Sequence, residues 1–146
     1  MIVQTLLAAV GTVAFALLFG VPRRYFPFCG AIGGAGWLLY AALAAYASAT
    51  PTEATFFATV LVILLSRACA VLERCPATVF LIAGIFPLVP GAGIYWTSYY
   101  LVTGQMRLAA SSGFAAVKAA IAIVLGIVFV FEIPNGFFRV LAGKRT

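Results

Sequence analysis

The stretch Pro87-Leu88-Val89-Pro90-Gly91-Ala92-Gly93 interrupts an apolar run from Ala77 to Val102, and what it offers is backbone chemistry. A proline has no N–H and its ring clashes with the preceding turn, so two prolines three apart strip donors from the carbonyls before them. Gly91 and Gly93 then open a fresh helix start. In hydrocarbon every orphaned backbone group is costly, and such breaks are tolerated where they face protein, water or a solute. Carbonyls freed ahead of Pro87 and Pro90 suit an ammonium group or a cation. The unpaired N–H groups of the following half-helix, with about half a positive charge, suit a carboxylate. The alternative is a kink that only bends the helix around its neighbours.

Side chains near this break extend the candidate substrate-binding set. Tyr95 and Tyr99 stand four residues apart, on one helical face, and could turn hydroxyls into a cavity. Trp96 and Tyr100 suit an interfacial aromatic belt. Lys118 has apolar neighbours on both sides; it is either a functional intramembrane charge or a lysine one turn inside that snorkels to the surface. Glu132, before Ile133-Pro134, is a proton site or an interface residue. The candidate set is therefore Pro87, Pro90, Gly91, Gly93, Tyr95, Tyr99 and Lys118.

Covalent catalysis lacks its usual parts. The chain has no aspartate, no histidine and three dispersed glutamates, Glu53, Glu73 and Glu132. Paired carboxylates, a histidine-based triad and a carboxylate/histidine metal site are thereby excluded, and no cofactor is called for. Cys29, Cys69 and Cys75 are odd in number and read as small packing residues.

The elements that position these residues follow from composition. Of 146 residues 65% are hydrophobic and 8% charged, with a mean hydropathy of +1.17. A soluble domain carries about a quarter of charged residues, so the chain reads as an all-α, polytopic membrane protein, one integral-membrane domain over 1–146. At about 20 residues per span there is room for roughly five. They fall at Ile2 to Phe19, Phe28 to Ala49, Ala54 to Leu72, the interrupted Ala77 to Val102, and Ala115 to Phe131, with Leu108 to Phe114 as a lead-in. Arg67 is expected to emerge into the headgroups. The basic pair Arg23-Arg24 follows the first apolar segment instead of preceding it, which favours a retained span over a signal peptide. Any soluble part is expected on another chain.

The net charge of +6 comes from cations scattered between spans, which argues against nucleic acid and for topology signals. Five spans place Arg23, Arg24, Arg67, Arg74, Arg139, Lys144 and Arg145 on one side. That side is read as the cytoplasm, with the N-terminus outside and the C-terminus inside. The tail Phe137 to Thr146 suits a membrane surface. Thr50-Pro51-Thr52-Glu53 is a turn that starts a helix. Gly30, Gly33, Gly34 and Gly36, and separately Ala115, Ala119, Ala122 and Gly126, form small-residue faces for close helix approach.

The run Pro87-Leu88-Val89-Pro90-Gly91 followed by Tyr95, with Arg67, Arg74-Cys75-Pro76 and Val21-Pro22-Arg23-Arg24, resembles the threonine/serine exporter family, and more closely its small-subunit, YjjB-type form. The resemblance covers essentially the whole chain. It implies a half-transporter that works with a larger subunit bearing a cytoplasmic region, and a small-molecule substrate: threonine and serine, or succinate in two-protein systems. The proton-motive force is the implied driver in a bacterial plasma membrane. Only Pro87, Pro90, Gly91 and Tyr95 match the family's specific run. The competing expectation is a non-transporting scaffold that stabilises its partner through the glycine and alanine faces.

Overall fold

The computed structural model describes residues 1–134. Its elements are α1 (Ile2–Leu18), a 3-10 turn (Arg23–Tyr25), α2 (Phe26–Tyr46), α3 (Pro51–Glu73), α4 (Thr78–Ile85), a second 3-10 turn (Phe86–Leu88), α5 (Gly91–Val102) and α6 (Met106–Phe131). Among the described residues there is no strand, as expected of an all-α membrane protein. Helices α2, α3 and α6 are each long and apolar enough to cross a bilayer, and α4 with α5, bent by 48°, makes a further span. Helix α1 has 17 residues, about 25 Å, at the short limit for a fifth.

Helix ends obey local chemistry. Thr50 and Glu53 form a capping box at α3: the Glu53 N–H donates to Thr50 Oγ1 at 3.3 Å and the Thr50 N–H to Glu53 Oε2 at 2.8 Å. This satisfies two otherwise orphaned donors. Helices α1 and α5 close through Gly20 (φ +69°) and Gly104 (φ +72°). There the Val21 and Gln105 N–H groups reach back to the carbonyls of Ala16 and Tyr100 at 3.0 and 2.9 Å, a geometry that requires the left-handed conformation glycine supplies.

Helix α2 is the hub, and its glycines are spent on close approach. A Cβ on Gly34 would lie 3.3 Å from Ala9 Cβ and one on Gly30 3.0 Å from a Val13 methyl, both on α1, while Gly36 abuts Val62 of α3. Around this contact lie the buried Tyr25, Cys29, Ile32, Val62, Phe80 and Leu88. Gly126 of α6 rests against Thr59 of α3. Helix α5 buries no residue and packs on α6, with Gly93 beside Ala116 and Thr97 beside Gly113.

Three expectations need correction. Leu108 to Phe114 is no separate lead-in, because α6 is continuous from Met106; Ser111, Ser112 and Gly113 are tolerated where Thr97 of α5 packs on Gly113. The small face of α6 differs at its start: Ala122 and Gly126 are buried and Ala119 half-buried as expected, but Ala115 is exposed and Ala109 and Ala116 are buried instead. Arg67, expected to emerge toward the headgroups, is buried. Its guanidinium donates to the Val130 carbonyl and sits over the Phe131 ring, because the negative end of the helix dipole in the last turn of α6 attracts a cation.

That contact joins the ends of α3 and α6, and the Tyr25 ring meets Phe80 at 5.3 Å, which brings the starts of α2 and α4 together. Arg23, Arg24, Arg67 and Arg74 belong to these ends. The other three cations of the expected basic side, and the tail Phe137 to Thr146, lie outside the described residues.

Candidate functional site

The break forms because each proline dictates the residues around it. Helix α4 stops as the Phe86 N–H turns to the Ala83 carbonyl. The Val89 N–H closes a 3-10 rung on the Phe86 carbonyl at 3.2 Å. Val89 is extended (φ −63°, ψ 131°), as a residue before proline prefers. Pro90 (φ −77°, ψ 52°) is the centre of an inverse γ-turn, in which the Gly91 N–H donates to the Val89 carbonyl at 2.8 Å. Helix α5 then starts, with the Ile94 N–H on the Pro90 carbonyl at 3.1 Å.

These bonds correct the expectation of free carbonyls only in part: those of Ala83, Phe86 and Val89 are taken by local donors, while those of Pro87 and Leu88 have no donor among the described residues. The donors of the next half-helix are open as well. No side chain caps α5, no acidic residue stands in its first turn, and the Ala92 and Gly93 N–H groups have no acceptor among the described residues.

The break borders a cavity of about 350 Å³ between α1 and α2, lined by Gln4, Gly11, Phe15, Trp37, Phe86 and Pro87 among others. Phe86 stacks on Phe15 with ring centroids 3.7 Å apart, which pins the turn to α1. A Cβ on Gly11 would meet nothing within 4 Å, so that glycine leaves room where a larger residue would intrude. The Trp37 indole Nε1 is buried with no hydrogen-bond partner. A buried N–H left unpaired costs about 1–3 kcal/mol, and the residue that carries it lines the same cavity as Gln4.

The seven candidate residues therefore separate. Pro87 lines the cavity, while Pro90 and Gly91, three and four residues further along the chain, are not part of its lining. Gly93 faces α6, its added Cβ 3.1 Å from Ala116. Tyr95 and Tyr99 are 62% and 46% exposed and join Trp96 and Tyr100 in an aromatic cluster on α5, with neighbouring rings 5.3 to 5.8 Å apart. Neither tyrosine lines the cavity at the break. Lys118 borders another cavity, with Glu53.

Sequence reasoning missed Gln4 and Trp37, though both carried a signal. Gln4 is an amide in the first turn of an otherwise largely apolar helix. Trp37 sits midway along α2, far from the interfaces that tryptophan prefers.

An interrupted span beside a cavity, within a bundle of apolar helices, is the build of a membrane transporter. The chain belongs to the threonine/serine exporter family: the family model described as "Threonine/Serine exporter, ThrE" matches residues 4–133. This is a family of transporters, not of enzymes. No curated protein and no solved structure matches the chain.

Proposed function

We propose that this chain is the membrane subunit of a secondary exporter of small carboxylate-bearing metabolites, threonine/serine or succinate-like, and that it acts with a larger subunit that has a cytoplasmic region. The observation that carries the reading is the uncapped start of α5 at the break. The Ala92 and Gly93 N–H groups have no acceptor among the described residues, and no side-chain cap or acidic residue stands in that turn. A turn that offers donors favours a solute that brings acceptors, as a carboxylate does. Pro87, Pro90 and Gly91 build the turn, and Gln4 and Trp37 complete its wall. Gly93 brings α5 against α6; Tyr95 and Tyr99 act at the outer surface. Transport proceeds by alternating exposure of this site, with the N-terminus outside and the C-terminus in the cytoplasm. In this family reading the membrane is the bacterial plasma membrane.

The test is efflux of labelled threonine, and in parallel of succinate, by the complete system carrying Pro87→Ala or Gly91→Leu. Both variants should insert normally and export neither solute; normal export by correctly inserted variants defeats the proposal. The scaffold alternative draws less support from the glycine faces, since Gly30 and Gly34 are occupied by α1 and Gly36 by α3. It wins if the larger subunit alone exports substrate once its abundance is restored.

A further inference from the structure

A second cavity, of about 700 Å³, opens where the α2–α3 turn meets the middle of α6, and it is lined by both a carboxylate and an ammonium group, Glu53 and Lys118. Phe56, Phe57, Leu43 and Ile121 supply its apolar wall. Lys118 is the thirteenth residue of α6, about 18 Å along the axis from Met106. The packing of α6 on α3 nevertheless sets it level with the first turn of α3, where Glu53 caps the helix. The two charges form no ion pair, although they line one cavity. Glu53 spends one carboxylate oxygen on the Thr50 N–H, and the Lys118 ammonium lies 5.1 Å from the Phe114 ring centroid.

Opposite charges held in or near a bilayer ordinarily pair with each other, because a lone charge there is costly. Here both side chains are exposed and line one cavity without pairing, so each charge keeps its binding capacity for something that enters. A dianion would meet Glu53 as a like charge, and a simple cation would meet Lys118. A zwitterion satisfies both. We infer that the Glu53–Lys118 cavity is a second solute station, distinct from the break, which holds a small zwitterion by its two ends: carboxylate to Lys118, ammonium to Glu53, side chain against Phe56, Phe57 and Ile121. The inference rests on the export reading for its place in a transport path, since the station lies at the outer end of the bundle in the proposed orientation. The binding itself does not depend on the break.

The experiment is equilibrium binding to the full chain in lipid nanodiscs, with three probes: threonine, 3-hydroxybutyrate, which lacks the ammonium, and 1-amino-2-propanol, which lacks the carboxylate. Losing a hydrogen bond to a charged group corresponds to about tenfold or more in affinity. Lys118→Gln should weaken threonine and 3-hydroxybutyrate by that factor and spare the amino alcohol. Glu53→Gln, which retains a side chain able to close the capping box, should weaken threonine and the amino alcohol and spare the hydroxy acid. Lys118→Arg should keep threonine binding. Equal losses for all three probes, wild-type affinity in both charge-removing variants, or no threonine binding by the intact chain would each overturn the inference. Pro87→Ala should leave the crossed pattern in place. Normal export by Pro87→Ala alongside that pattern would remove the role of the break and leave this station standing.

Discussion

Along α2 a Cβ added to Gly33 would fall 2.0 Å from Thr12 Oγ1, and one added to Gly36 2.4 Å from a Val62 methyl, whereas at the start of α5 Gly91 has nothing within 4 Å. Two helices of one small protein thus use the same residue for opposite ends. In α2 the missing side chain is replaced by a neighbouring helix, which brings backbones together without a hydrophobic drive between them in lipid. At α5 it is replaced by nothing, and the backbone amides stay accessible. Glycine content alone does not separate a packing seam from an open site; the surrounding helices do.

The contrast can be broken most forcefully from its closed side. Gly36→Leu should prevent the α2–α3 approach, since the intruding atoms meet a buried methyl in a tight seam. Overpacking of this kind costs about 1–3 kcal/mol or more, and the measurement is thermal stability in detergent together with abundance in the membrane. Survival with unchanged stability would mean that the seam is looser than the distances state. Gly11→Leu addresses the open side: the protein should accumulate normally, because the added atoms enter free space, while efflux falls about tenfold or more as the cavity at the break fills. Trp37→Phe is gentler. It removes the unpartnered indole N–H, so stability should hold or rise by up to about 1 kcal/mol while export drops severalfold; unchanged export would take Trp37 out of the site. Gly91→Ala should do least, since its Cβ has space and a helix start accepts alanine. A change within about 0.5–1 kcal/mol and near-normal efflux would fit amides, not glycine flexibility, as what matters at this position.

What the sequence makes legible here is what covalent structure enforces nearby. Pro87 and Pro90 must end α4, and Gly91 can begin α5, whatever lies around them, so the interrupted span reads correctly within a residue or two. The Thr50/Glu53 cap is equally local. The cavity wall is a different matter, because Gln4 and Trp37 reach the break only through the α1–α2 seam, a contact between residues distant in sequence. The error over free carbonyls had a physical source as well. Proline removes donors from an α-helical ladder, but the chain tightened to 3-10 and γ-turn geometry and bonded the oxygens of Ala83, Phe86 and Val89 to nearer amides. Arg67 was misplaced because its acceptor, the Val130 carbonyl, belongs to a helix that begins nearly forty residues later.

That tightening also bears on what the bend can coordinate. An alkali-metal ion sheds its hydration shell only where several peptide oxygens can replace the lost water, and at this bend the oxygens of Ala83, Phe86 and Val89 are already engaged. The two left without a donor, those of Pro87 and Leu88, are too few to replace a shell by themselves.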